Sequence, residues 1–377
     1  MEIKTWDELD LNDDLLRGIY SCGYESPSPI QSKAIQPIID KKDLLAQAQS
    51  GTGKTATFSI GALASIDYSL RESQIIILSP VRELSNQTYT VVKSIGCMIK
   101  DLEVGLFVGG NKIYEDIQYL KTKTPHVIIG TPGRINDLIE KKWIAIKNIK
   151  LLIVDEADEM LANTFKEQFH RIVMSCNESV QIALFSASYS NDVKNLAMSF
   201  LRDPVSIIVK AENLTLDGIA QYYVALENDY HKFVTLKDLY GKISFSQCII
   251  YCNSVSRVMN LYDSLKNEEY PVTYIHSQMT TVERKQIFHD FKSGKSRILI
   301  STNLTSRGID IQQVNLVINF DISKCVHNYL HRIGRTGRWG RKGVAINFIT
   351  PYDIHTVRAI ETHYQCNILE LPENIKI

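Results

Sequence analysis

Short apolar runs alternate with amphipathic stretches along the whole chain, and that alternation admits few folds. A strand buried on both faces reads as a continuous apolar run, and joining two such strands in parallel takes a crossover, usually a helix. Segments 43–46, 74–79, 104–108, 126–130, 150–154 and 181–185 read as strands of this kind, with polar, periodic helix candidates between them. The pattern then restarts at 221–226, 247–252, 272–276, 297–301, 314–320 and 343–349. The reading is an α/β protein of two similar domains, each a mostly parallel sheet flanked by helices. The seam falls after Asp203-Pro204, within 209–218, where KAENLTLDG is polar, carries a glycine and interrupts the apolar runs. The boundary is placed near Glu212, giving domains 1–211 and 212–377.

Composition narrows the class. The 377 residues allow each domain its own core at about 150 residues per domain. A hydrophobic fraction of 44% and a charged fraction of 22% argue against disorder, collagen-like repeats and a disulfide scaffold. Because 42 basic residues balance 42 acidic ones, nucleic-acid binding would have to rest on local patches. The seven cysteines form no C-x-x-C pair and are odd in number, which suits a reducing compartment and gives no zinc or disulfide framework. The acidic opening MEIKTWDELDLND lacks a basic apolar leader, and no apolar run is long enough to span a membrane. The expected address is cytosol or nucleus, with no membrane partner and a monomeric core.

After the apolar stretch 44–46 comes Ala48-Gln49-Ser50-Gly51-Thr52-Gly53-Lys54-Thr55 and then a helix-compatible run. Glycines let backbone N–H groups turn onto phosphate oxygens, and the helix start offers its positive end. Lys54 can reach the β/γ phosphates and Thr55 can ligate Mg²⁺. The generic pattern opens on Gly where this chain has Ala48. About a hundred residues on, the buried run 150–154 delivers Asp155-Glu156-Ala157-Asp158 at its C-terminal end, where parallel sheets bind ligands. Asp155 is the expected Mg²⁺ partner, and Glu156 can orient or deprotonate the water that attacks the γ-phosphate.

On these residues the chain resembles the DEAD-box RNA helicases, over nearly its whole length, and most closely their translation initiation factor 4A subgroup with its exon-junction paralog. Residues 47–60, 214–218 and 340–348 carry the subgroup likeness. The resemblance implies two tandem RecA-like domains, ATP and Mg²⁺ as cofactors, and RNA as the partner, single-stranded or a short duplex. Gly23-Tyr24-Glu25-Ser26-Pro27-Ser28-Pro29-Ile30-Gln31 is similar to the adenine-reading Q motif, with Tyr24 stacking on the base, Gln31 bonding its edge and Trp6 as the isolated upstream aromatic. Arg82, Gly109-Gly110 and Thr131-Pro132-Gly133-Arg134 fall in the order of the family's RNA-binding segments, where backbone N–H groups and arginines hold phosphates without reading sequence. In the second domain Thr302 and Arg284 are implied RNA contacts, Asp310 a ribose contact, and Arg335 and Arg338 arginine fingers. Asp158, Ser186, Ser188, Arg307 and His331 are implied to couple hydrolysis to domain closure.

The chain departs from the family pattern at Ser188, where Thr is usual, and at Asn303, where Asp is usual. It departs also at Ser277-Gln278, Thr281 and Val81. Ser188 keeps the hydroxyl, so its link to Asp158 is expected to survive. These changes touch RNA contact and coupling, while Lys54, Thr55, Asp155, Glu156, Arg335 and Arg338 are intact. The expectation is an RNA-stimulated ATPase that locally unwinds RNA in translation initiation. The alternative is a slowly hydrolysing, ATP-gated RNA clamp or a scaffold dependent on a protein adaptor that orients the domains.

Overall fold

The computed structural model describes residues 2–49, 51–162, 165–209, 219–305, 314–336 and 343–372. Ser50, Arg307, Asp310, Arg338 and the expected boundary at Glu212 lie outside the described residues. The chain divides into two compact units, Met1–Lys210 and Ala211–Ile377.

The first unit is a sheet of β1 (Leu44–Gln47), β2 (Ile75–Leu78), β3 (Val104–Phe107), β4 (Val127–Gly130), β5 (Leu151–Asp155), β6 (Gln181–Ser186) and β7 (Val205–Ile208). The strand order is β3-β4-β2-β5-β6-β1-β7, and every pairing is parallel. The two-residue period sorts each strand's apolar residues onto opposite faces. Ile75, Ile77, Leu151 and Ile153 join a core with α1 (Asp13–Ser21), α2 (Pro29–Ile39), α3 (Lys54–Ala64) and α4 (Arg82–Ile95). Ile76, Leu78, Leu152 and Val154 face a second core with α5 (Ile113–Thr122), α6 (Pro132–Glu140), α7 (Ala157–Met160), α8 (Lys166–Ser175) and α9 (Asn191–Met198). Full burial of each such side chain stabilises by about 1.5–3 kcal/mol, so the central strands β2 and β5 anchor the unit.

The second unit repeats the plan. Its strands are β8 (Ile219–Ala225), β9 (Gln247–Tyr251), β10 (Val272–Ile275), β11 (Ile298–Ser301), β12 (Val314–Asn319), β13 (Gly343–Ile349) and β14 (Leu369–Glu370). They run β10-β11-β9-β12-β13-β8-β14, which is the order of the first sheet with seven added to each strand number. Around them lie α10 (Asp229–Lys242), α11 (Val255–Asn267), α12 (Thr281–Lys292), α13 (Val326–Ile333) and α14 (Ile354–Tyr364). The twelve strands read from the sequence are all present within a residue or two at each end. Two edge strands were not read. β7 leaves Ile208 51% exposed, and β14 is two exposed residues beside Tyr222 and Tyr223. Neither has the continuous apolar run that marks a buried strand. Among the described residues no helix is long and apolar enough to cross a membrane.

Candidate nucleotide and RNA site

In a parallel sheet all strand C-termini lie at one edge, and in the first unit that edge divides into two halves. β5, β6 and β1 are neighbours, with Asp155 opposite Phe185 and Ser186 opposite Gln47. At about 4.8 Å per strand, the Asp155 to Asp158 tetrad, the Ser186 to Ser188 turn and the phosphate loop therefore sit side by side. β3, β4 and β2 are likewise neighbours, with Gly130 opposite both Phe107 and Leu78. Their ends lead into Gly109-Gly110, Thr131 and Arg82.

Two left-handed glycines shape the phosphate loop. Gly51 and Gly53 have φ of 86° and 100°, a region L side chains rarely adopt. Lys54 is 7% exposed, and its Nζ donates to the Ala48 carbonyl at 2.7 Å, so the ammonium closes the loop on itself. The start of α2 braces the loop from outside. Ser28 Oγ donates to the Thr52 carbonyl at 2.8 Å, and Ser28 N donates to Gln31 Oε1 at 2.7 Å. A Cβ on Gly53 would lie 2.8 Å from Gln31 Nε2.

Two residues expected on the adenine side have structural partners here. Gln31 is 3% exposed and its side-chain oxygen accepts from the Ser28 N–H, closing the cap at the start of α2, while Ser28 Oγ makes the bond to the loop. Trp6 is fully buried, and its Nε1 donates to the Tyr24 carbonyl at 2.9 Å. The enclosed indole positions Tyr24, which remains half-buried against the core. Ser28 was not among the expected residues, although Ser-x-x-Gln ahead of an apolar run is a capping-box signature.

Asp155 and Glu156 are 4% and 2% exposed. Asp155 Oδ1 accepts from the Glu156 N–H at 3.0 Å, while Glu156 Oε2 is buried with no hydrogen-bond partner. Burial, then the neighbouring Glu156 carboxylate, raises the Asp155 carboxyl above the usual range, against the pull of Lys54. Glu156 adopts left-handed φ and ψ of 51° and 51°, a strain of about 1–3 kcal/mol at the strand end. Two adjacent buried acids with an unsatisfied oxygen, beside a phosphate loop that presents Thr55, are the donor set a hard divalent cation takes. The residues present fit Mg²⁺.

The coupling turn differs from expectation. Ser186 Oγ, not Ser188 Oγ, donates to Asp158 Oδ1, at 2.8 Å, and it also lies 2.8 Å from the Ser188 carbonyl. Ser188 returns its N–H to Ser186 Oγ at 3.3 Å, leaving its own hydroxyl buried without a partner. The tight turn of residues 186–188 aims the first serine at the tetrad.

The three segments expected to contact RNA converge. Gly109 N donates to Thr131 Oγ1 at 3.1 Å. A Cβ on Gly110, whose φ is 86°, would lie 2.2 Å from Arg82 Nη1, so the guanidinium rests on bare backbone. Arg134 donates to the Asn111 carbonyl at 2.6 Å and forms an ion pair with Asp116, both side chains 9% exposed. Burial raises the Asp116 carboxyl despite Arg134. Pro132 and Gly133 open α6, with Gly133 exposed. Asp116 was missed because it lies 18 residues from Arg134 and meets it only through the fold.

In the second unit Arg332, fully buried, is the hub. It donates to Asn303 Oδ1 at 2.7 Å, Asn253 Oδ1 at 2.7 Å, Asn319 Oδ1 at 3.2 Å and the Asp321 carbonyl at 2.7 Å, and lies 5.2 Å from the Tyr251 ring centroid. Neutral amides thus hold a buried cation whose pKa burial pushes down to about 10. Arg335 Nε donates to the His331 carbonyl at 3.3 Å, and both residues are 2% exposed. Arg284 is 6% exposed, and Thr302 Oγ1 accepts from Leu304 N at 3.4 Å.

Residues 28–196 match the DEAD/DEAH box helicase model and residues 231–340 the helicase conserved C-terminal domain. The chain is 46% identical over 373 residues to Eukaryotic initiation factor 4A of Cryptosporidium parvum, covering 99% of this chain and 92% of that one. It is 45% identical over 373 residues to the ATP-dependent RNA helicase eIF4A of Schizosaccharomyces pombe, covering 99% and 95%. Among solved structures, Dbp5 of S. cerevisiae bound to RNA and ADP BeF3 superposes with a TM-score of 0.90 at 34% identity, covering 100% of this chain and 96% of that one. The two seven-stranded parallel units are the tandem RecA-like domains of such helicases, and the chain belongs to the DEAD/DEAH box helicase family.

Proposed function

We propose that this chain is an ATP-dependent RNA helicase that remodels RNA in translation initiation. The observation that carries the reading is the grouping of the phosphate loop, the acidic tetrad and the Ser186 turn on three adjacent strands, beside a second group of glycines and arginines on the neighbouring three. The first group fits hydrolysis of a nucleoside triphosphate. Lys54 holds the β/γ phosphates in exchange for its Ala48 contact, Glu156 Oε2 accepts a proton of the attacking water, and Tyr24 faces the base. Thr55 and Asp155 would hold Mg²⁺, which when bound neutralises phosphate charge. The second group, Arg82, Gly109, Gly110, Thr131 and Gly133, offers N–H groups and charge to successive phosphates of a strand. Arg335 and Arg338 are assigned to the charge that develops on the transferring phosphoryl group.

The slow-clamp alternative is not favoured: the relatives at 45–46% identity across nearly the full chain carry initiation-factor and ATP-dependent helicase names. The test is strand separation of a short RNA duplex by the full chain. ATP should support it, and a non-hydrolysable analogue or Glu156→Gln should not allow repeated turnover. Retention of RNA without separation, in the presence of ATP, would return the clamp reading.

A further inference from the structure

The ends of α1 and α4 meet around a cavity of about 550 Å³ that the phosphate and RNA groups do not use, with Ser21, Cys22, Tyr24, Ser94 and Cys97 in its wall. Two of the seven cysteines therefore open into one space from distant parts of the sequence, and both are exposed. The helices touch just before it, where a Cβ on Gly18 would collide with the Ile95 carbonyl oxygen. Cys22 closes the last turn of α1, its N–H donating to the Gly18 carbonyl at 3.2 Å, and Cys97 lies two residues past Ile95. The Ser21 hydroxyl stands between the two thiols. It donates to the Gly18 carbonyl at 2.8 Å, shares a hydrogen bond with Cys97 Sγ at 3.9 Å and neighbours the Cys22 thiol. Tyr24 lines the same cavity, joined to Cys22 through Gly23, whose φ is 80°. By contrast, Cys248 and Cys252 are buried in the core of the second unit.

We propose that Cys22 and Cys97 form a redox modification site: a peroxide joins them in a disulfide that ties the end of α1 to the end of α4 and draws Tyr24 away from the nucleotide base. The sulfur of Cys97 attacks the peroxide, whose O–O bond breaks, giving a sulfenic acid on Cys97 and one water. The sulfur of Cys22 then attacks the sulfenic sulfur. The S–O bond breaks, and hydroxide leaves with the thiol proton as a second water. Both sulfurs are oxidised, and the peroxide takes the two electrons. Burial raises the Cys22 thiol, so it is the second to react. The bonded sulfurs lie about 2.05 Å apart, with Cα atoms within about 7 Å. Reaching that length displaces the Ser21 hydroxyl and pulls residues 22–24 toward α4. An exposed bridge of this kind is readily reduced, which makes the site reversible. The effect on nucleotide binding rests on the ATPase reading above; the bridge itself does not.

The experiment treats the full chain, Cys22→Ser, Cys97→Ser and the double variant with hydrogen peroxide and then blocks the remaining thiols with N-ethylmaleimide. Intact mass and peptide mapping read the bridge, and titration with a fluorescent ATP analogue reads affinity before oxidation, after it and after dithiothreitol. In the parent the expected product is a monomer lacking two hydrogens, with the peptides of Cys22 and Cys97 cross-linked and released by dithiothreitol. Its analogue affinity should fall about 10-fold, as for the loss of one base–aromatic stack, and return on reduction. Oxidation should leave the affinity of all three variants within twofold of its starting value. Adducts on Cys22 or Cys97 singly, or links only between chains, overturn the site. A mapped Cys22–Cys97 bridge with affinity within twofold of the reduced parent overturns the control of Tyr24. If the reduced parent does not bind the analogue, the ATPase reading fails, while the peptide map still decides the bridge.

Discussion

Arg134 stands in a segment whose likeness implies phosphate contact, yet its guanidinium is enclosed with Asp116 and the Asn111 carbonyl. If it is a brace that fixes the Gly109-Gly110 loop against α6, its removal should appear first in stability. Breaking a buried ion pair from one side costs about 3–5 kcal/mol. Arg134→Met should lie near the lower figure, because Asp116, already raised by burial, can take up a proton. Asp116→Leu should lie near the upper figure, because a guanidinium cannot shed its charge. For a unit of the size of Met1–Lys210, about 3 kcal/mol corresponds to a fall in Tm of roughly 6–12 °C. The double variant Asp116→Leu/Arg134→Met should recover to within about 1 kcal/mol of the parent, since an apolar pair can replace a buried ionic one. Urea or thermal unfolding of the full chain reads these values. RNA binding supplies the discriminating arm. A direct phosphate contact contributes about 0.7 to the salt slope of single-strand binding, so a brace predicts an unchanged slope in the double variant. The reasoning is refuted if Arg134→Met unfolds like the parent while its slope falls by about 0.7.

Three further outcomes follow from local geometry. Gly53→Ala should lower ATP affinity at least 10-fold, read by fluorescent nucleotide titration, because the new Cβ meets Gln31 Nε2 in a left-handed backbone; parental affinity would refute the bracing by α2. Arg332→Lys should destabilise the second unit by about 1–3 kcal/mol, since one ammonium cannot reach all the acceptors on Asn303, Asn253, Asn319 and Asp321 and leaves a buried one unsatisfied; a loss under about 0.5 kcal/mol in denaturant titration would contradict the hub. Asp321, which burial would raise, is instead lowered by the Arg257 hydrogen bond, the Asn253 N–H and Lys232, so its stabilisation is complete above the unfolded carboxyl value of about 3.9 and is lost as pH falls through the lower folded one. Acid unfolding should therefore begin below about pH 4 and be shallower in Arg257→Met, and identical profiles would count against that linkage.

How far the sequence could be read depended on how local each determinant is. The buried strands were visible because β2 and β5 are unbroken apolar runs, and the phosphate loop because its glycines and lysine are contiguous. β7 and β14 were not, since edge strands bury little and need no run. Arg134 looked like a free charge because its partner comes from α5, and only the fold brings the two together. Ser28 and Gln31 carried a legible capping signature, which stands beside the family expectation of an adenine contact for Gln31. The exchange of Ser188 for Ser186 at Asp158 was hidden in a turn whose direction no spacing rule gives. Asn303 was readable as a departure, but not as one of three amides around a buried arginine.

Steady-state ATP hydrolysis by the full chain, with and without single-stranded RNA at one fixed salt concentration, tests the central claim most directly when parent and Glu156→Gln are compared. The account predicts strong stimulation by RNA in the parent and its abolition in Glu156→Gln. Hydrolysis that ignores RNA, or that persists in Glu156→Gln, would contradict it.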